Sequence, residues 1–343
     1  MPGGIDIVQE KTRGEKKLIS ETLPGIFKIE VPLPNNPLKA LNSFVIKSKN
    51  RNLIIDTGMN RDECREAMYL GIKELELDLR RTDFFVTHMH ADHSGLVFDL
   101  ASDNSAIYCS HIDARAINLM STRGVWENMQ DFARENGFPE EELEDAVQKH
   151  PGYRYCPRGH GNFQTLREGD TISIASYSFA CIETPGHTRG HLCLYDHGHR
   201  ILFSGDHVLR DITPNISRWF RDEKNPLWEY LKSLDKVAGL DVALVLPGHR
   251  SIFRDLKERI EELRQHHRHR LNEVLEILAR GEKDAYQVAA MMTWDLTYSS
   301  WTSFPVAQKW FATGEALAHL SYLEEQGLVR RREQHGKYIY SIK

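Results

Sequence analysis

Residues 87–95 read "THMHADHSG", with three histidines and an aspartate inside nine positions. The run that precedes them, "TDFFVTH" (82–88), has the apolar, β-branched and aromatic content of a buried strand. His88 and His90 lie two apart where that strand runs out, and alternation along extended chain points both to one side. Asp92 and His93 follow after a turn and can bend back toward a second point. Four nitrogen and oxygen donors can seed two metal positions without completing either. The missing donors recur beyond three later apolar runs: His187 in "ETPGHTRGH", Asp206 in "LFSGDHV" and His249 in "LVLPGHR". Each stands at or just past a Gly or Pro-Gly turn, and strand ends on one edge of a sandwich would gather them. Imidazole and carboxylate donors suit Zn(II), Fe(II) or Mn(II), with zinc favoured by the share of histidine.

Around this cluster the chain alternates strands and helices. "GIFKIEVPL", "ALNSFVIKS" and "NLIIDTG" predict strands between about 18 and 56, and residues 61–78 predict an amphipathic helix. "HSGLVFDLA" starts a helix and "AIYCS" is a strand. Residues 112–150 form an insert of two helix-like stretches around "GFP", too long for a plain connection. Strands resume in "TISIASYSFACIETPG" and "HLCLYDHGHRILFSGD", a helix spans 225–240, and "VALVLPGH" is one more strand. From 251 the pattern is helix, helix, helix, then a hairpin around His335-Gly336. That order predicts a small winged-helix domain. The expected division is 1–265 for an α/β domain carrying the insert, and 266–343 for the winged helix.

Composition narrows the class. The 343 residues are 41% hydrophobic and 27% charged, which fits a soluble globular protein. A net charge of -5 gives no global attraction to nucleic acid or anionic membrane. The five cysteines are scattered without a C-x-x-C pair, the start is polar, and no apolar run approaches the ~18 residues of a membrane span. A cytoplasmic protein with no membrane partner is expected.

The set His88-x-His90-x-Asp92-His93, then His187, Asp206 and His249, with the early "IIDTG", resembles the metallo-β-lactamase superfamily of αββα hydrolases over about residues 20–260. The resemblance implies two divalent metal ions: His88, His90 and His187 on the first, Asp92, His93 and His249 on the second, and Asp206 bridging. It implies a water whose pKa a metal lowers toward ~7, attacking a small carbonyl substrate, with Asp92 as the catalytic group that orients it. His90 departs from the oxygen-reducing diiron relatives, which carry an acidic residue there. Asp206 argues against antibiotic hydrolysis, since true β-lactamases of this fold lack it. His249 follows Asp206 by only 43 positions, which leaves no room for the inserted domain of the RNA-processing branch. What remains is similar to glyoxalase II and the acyl-lactone hydrolases, so a thioester or lactone is the expected substrate.

The alternatives are a phosphodiesterase cutting single-stranded RNA and, more weakly, a DNA-binding regulator on a retained hydrolase fold. The layout of a hydrolase domain followed by a winged helix also occurs in an endoribonuclease branch. Residues 270–343, however, carry nine Lys/Arg and nine Asp/Glu, and the expected recognition helix holds Glu315, Glu324 and Glu325 against Lys309. Arg330, Arg331, Arg332 and Lys337 in the hairpin are the exception. Packing on the hydrolase domain, or building a homodimer, is the stronger expectation for this part. Asp56 is expected to orient a histidine ligand. His191, four beyond His187, either supports a ligand or faces its strand, and His207 is expected to point away from the metals, into the substrate cleft. Trp126, Met129 and Phe132 in the insert, and Trp219, Phe220 and Trp228, are candidate cleft walls.

Overall fold

The computed structural model describes residues 18–295, 298 and 300–343. Seven strands form the first sheet in chain order: β1 (Ile19–Leu23), β2 (Ile26–Pro32), β3 (Ala40–Ile46), β4 (Asn52–Ile55), β5 (Thr82–Phe85), β6 (Ile107–Ser110) and β7 (Gln164–Leu166). The first four pair antiparallel, and β4 to β7 pair parallel. The second sheet has the order β12-β11-β10-β9-β8, from β8 (Thr171–Ile174), β9 (Tyr177–Glu183), β10 (Leu192–Asp196), β11 (Ile201–Gly205) and β12 (Leu244–Pro247).

Side-chain alternation stacks the two sheets. In β10, Leu192 and Leu194 join Phe44, Phe85, Phe179 and Phe203 in a core between the sheets, while Cys193 and Tyr195 turn to the outer face. Helix α1 (Asp62–Glu74) covers the outer face of the first sheet through Cys64, Met68 and Ile72. It ends short of the predicted 78. The outer face of the second sheet packs on α8 (Pro226–Ala238) and the first half of α9 (Leu256–Ala279). The result is a helix–sheet–sheet–helix sandwich.

Between β5 and β6 the single expected helix is two short turns, α2 (Ala91–Ser94) and α3 (Val97–Leu100), split at Gly95. A Cβ on Gly95 would lie 2.5 Å from both the Ala91 carbonyl oxygen and the Asn60 nitrogen, so backbone forbids any larger residue. The insert holds three helices rather than two, α4 (His111–Met120), α5 (Arg123–Glu135) and α6 (Glu140–Lys149), and the short α7 (Pro151–Arg154) follows it. After α9 come α10 (Ala285–Met291), α11 (Val306–Glu325) and the hairpin β13 (Val329–Gln334) with β14 (Lys337–Ile342). His335 and Gly336 both have positive φ, as a two-residue hairpin turn requires.

The insert does not pack as an independent flap. Trp126, Met129, Phe132, Phe138 and Leu143 share one core with Val288, Trp310, Leu317 and Leu320 of the C-terminal helices. Trp219 and Trp310 stack at 4.1 Å between centroids, 15° from parallel. Helix α9 runs unbroken through residue 265 and serves both cores. No helix among the described residues is long and apolar enough to cross a membrane.

Candidate metal centre

Strands β5, β9, β11 and β12 end on one edge of the sandwich, because β11 pairs parallel with β12 and β9 runs in their direction on the far side of β10. The loops that leave those ends carry all seven expected ligands. His88 and His90 follow β5, Asp92 and His93 lie on α2, His187 follows β9, Asp206 follows β11 and His249 follows β12. The sheets are joined at this edge: Leu192 N donates to Thr87 O at 2.9 Å, and Asn42 N donates to Gly248 O at 2.7 Å.

The seven side chains converge into three overlapping groups able to hold a metal ion: His88, His90 and His187; His88, His93 and Asp206; Asp92, His93 and His249. His88 Nε2 is 3.1 Å from His90 Nδ1, and His93 Nε2 is 3.2 Å from His249 Nε2. Asp92 Oδ2 is 3.2 Å from His249 Nε2. Asp206 lies centrally, its Oδ1 3.4 Å from His93 Nε2 and its Oδ2 3.5 Å from His249 Nε2 and 3.6 Å from His187 Nε2. His88, His93 and His249 are fully buried, whereas Met89 and His90 are half-buried and mark the open side.

The outer nitrogens decide what the inner ones can do. His93 Nδ1 donates to Asp56 Oδ2 at 2.7 Å, His187 Nδ1 to Asn215 O at 2.8 Å and His249 Nδ1 to Ala40 O at 2.7 Å. Thr87 Oγ1 donates its proton to Asp56, so it accepts from His88 Nδ1 at 3.0 Å. Rings that donate from Nδ1 face Nε2 inward, toward each other and toward two carboxylates, and each such nitrogen offers a lone pair once its ring is neutral. His187 Nε2 and Asp206 Oδ1 are buried with no hydrogen-bond partner among the described residues. Such a donor set fits a divalent cation, and carboxylates with imidazoles are the ligands a zinc-like ion takes. Burial, with help from His93 and His90, pushes the His88 imidazole well down. Burial would do the same to His93, but Asp206, Asp56 and Asp92 hold it well above the usual imidazole value.

Asp56 takes the orienting place expected for it, at φ +61, a left-handed conformation that aspartate tolerates better than most residues. His191 supports rather than binds: its Nε2 accepts the Asp206 backbone N–H at 3.1 Å, and its Nδ1 pairs with Thr184 Oγ1 at 2.7 Å. His207 is fully buried against Tyr230, away from the open side.

Asp113 was not singled out by the sequence. Fully buried, its Oδ2 accepts from Met89 N at 2.9 Å and Thr188 Oγ1 at 2.6 Å, and its Oδ1 from Gly190 N at 2.9 Å. It therefore ties the His90 loop to the His187 loop. Burial pushes its carboxyl up to about 6 against the pull of those three bonds.

Elsewhere, the histidine-rich "QHHRHR" of α9 is an interhelical contact: His267 meets His319 at 3.1 Å and Arg270 pairs with Glu273 and Glu315. His160 and Cys156 stand outside the three ligand groups.

The sequence model of the Metallo-beta-lactamase superfamily matches residues 38–249, and that of the "Metallo-beta-lactamase-like, C-terminal domain" matches residues 271–342. A metallo-beta-lactamase family protein from Thermus thermophilus has a similar structure, with a TM-score of 0.79, 29% identity, and 94% of this chain and 99% of that one covered. A probable metallo-hydrolase of Bacillus subtilis is 24% identical over 94% of this chain and 99% of its own length. A human acyl-coenzyme A thioesterase is 26% identical over 67% of this chain and 79% of its own length. The strand-end ligands, the two facing sheets and the match over residues 38–249 agree: the chain belongs to the metallo-beta-lactamase superfamily, whose members are generally hydrolases.

Proposed function

We propose that the protein is a dinuclear metal-dependent hydrolase of a thioester. The observation that carries this reading is the convergence of seven donors, with the outer nitrogens of His88, His93, His187 and His249 tied down. His88, His90 and His187 would hold one ion, Asp92, His93 and His249 the other, and Asp206 both; zinc is the favoured metal. Bound there, the pair supplies a nucleophile at neutral pH and polarises the substrate carbonyl. Asp92, 10% exposed at its side chain, would orient the attacking water and accept its proton. The thioester class is supported by the human thioesterase relative and by apolar side chains: Met89, Phe220 and Cys156 are each partly buried against the insert core that holds Trp219. A lactone would meet the same chemistry.

We read the C-terminal unit as a winged helix used for packing. Thirteen of the twenty residues of α11 are buried, which leaves it little face to enter a groove. In the hairpin, Arg331 pairs with Glu324 and Arg332 with Glu282, so two of the four cations there are paired with carboxylates. Assay of the zinc-loaded protein against acyl thioesters, lactones and a labelled single-stranded RNA tests the reading. Thioester turnover that a chelator abolishes, with the RNA intact, is expected. RNA cleavage by a protein inert toward every thioester and lactone would overturn it.

A further inference from the structure

His187 differs from the other ligands in how it is held. The Nδ1 partners of His88 and His93 are side chains beside the same strand end, and His249 donates to Ala40 at the start of β3. His187 donates instead to the carbonyl of Asn215, in the stretch between β11 and α8 that has no helix or strand. A carbonyl in such a stretch orients a ring only if something else fixes it.

The C-terminal unit fixes it. Asn215 Nδ2 donates to Glu315 Oε2 of α11 at 3.1 Å, and Ser217 Oγ donates to Asn215 Oδ1. The next residues are clamped to the same helix: Arg218 N donates to Gly314 O at 3.0 Å, and its guanidinium donates to Ser321 Oγ at 2.7 Å. Gly314 permits this approach, since a Cβ there would lie 2.5 Å from Trp219 Nε1. Glu315 is itself held by Arg270 Nε at 3.3 Å, and Arg270 by Glu273, the Thr293 carbonyl and the face of Trp294. A carboxylate only 12% exposed at its side chain is costly to bury unless it is paired, and Arg270 and Asn215 are its partners.

We infer that Glu315 is a positioning residue of the metal site: through Asn215 it sets the carbonyl that orients His187, so the C-terminal unit completes the three-histidine group. This rests on the two-metal reading above. It is tested on the full chain with Glu315→Ala, Glu315→Gln, Asn215→Ala and, as a control on the same helix, Lys309→Met, which breaks the pair with Glu142 and leaves Asn215 alone. The readouts are stepwise zinc affinity by competition with a chelator, and the imidazole nitrogen NMR signals of the metal-free protein.

In Glu315→Ala and Asn215→Ala one zinc step is expected to weaken about 10- to 100-fold, the range typical of residues that support ligands, and the other to hold. Glu315→Gln should fall between wild type and Glu315→Ala. Lys309→Met should keep both steps even if it melts earlier. In the metal-free protein His187 should be an Nδ1–H tautomer, and a mixture in Glu315→Ala. Unchanged zinc steps in the Glu315 and Asn215 variants, or an equal loss in Lys309→Met, would overturn the inference. A wild type that takes up fewer than two zinc ions would overturn the two-metal reading and this inference with it, which separates the two failures.

Discussion

Asp206→Ala is expected to lower kcat/KM for a thioester by on the order of 10³-fold, and to lower metal content as well. The carboxylate reaches members of both ligand groups, with His93 on one oxygen and His187 and His249 on the other. Burial would raise its carboxyl pKa, but His249, His93 and His187 outweigh that and keep it ionised well below the usual carboxylate range. Removing it leaves the inward lone pairs without the anion that links the two positions. Metal-ion chemistry is worth several kcal/mol of transition-state stabilisation, and about 1.4 kcal/mol corresponds to each tenfold in rate. Steady-state kinetics beside metal analysis check the expectation. A variant retaining more than a tenth of wild-type kcat/KM with full metal content would refute it.

The second large effect falls outside the metal site. Trp310→Ala is expected to cost about 3–5 kcal/mol of folding stability, the range for truncating a fully buried large aromatic. Trp310 has no exposed surface, stacks on Trp219, and meets Phe138 edge-on at 5.5 Å between centroids. Three chain segments meet on that one ring: the insert, the stretch after β11 and helix α11. Its Nε1 has no hydrogen-bond partner among the described residues, so the loss is one of burial and packing. Urea denaturation should give a lowered midpoint. Trp310→Phe, which keeps a ring, should lose markedly less. A stability change under about 1 kcal/mol in Trp310→Ala would contradict the shared core.

That these seven side chains would meet was legible because metal chemistry constrains residue type and spacing together. H-x-H-x-D-H after an apolar strand, and one His or Asp after each of three later strands, leave few other uses for those side chains. Asp56 was legible for the same reason. Their supports were less so. The acceptors for His187 and His249 are the carbonyls of Asn215 and Ala40, and a backbone carbonyl leaves no mark on the sequence. Asp113 looked like an ordinary residue in the first turn of a helix, and its two loops lie 24 and 75 residues away. His191, read as ligand support or a strand-facing residue, holds the backbone of Asp206, whereas His207, read as pointing into the substrate cleft, is buried against Tyr230.

In the fold, β7 went unseen because three residues at a sheet edge carry no periodicity. The amphipathic stripe of α5 announced a buried face without naming what it buries against. That Trp126 and Phe132 meet the C-terminal helices is a tertiary fact.

The most direct measurement is a titration of the metal-free protein with zinc, followed by thioester turnover and bound metal in the same samples. Turnover should be absent at the start, rise with metal, and level off at two zinc ions per chain. Turnover that is undiminished in the metal-free protein, or that never depends on bound metal, would contradict the assignment of these seven side chains to a two-metal hydrolase.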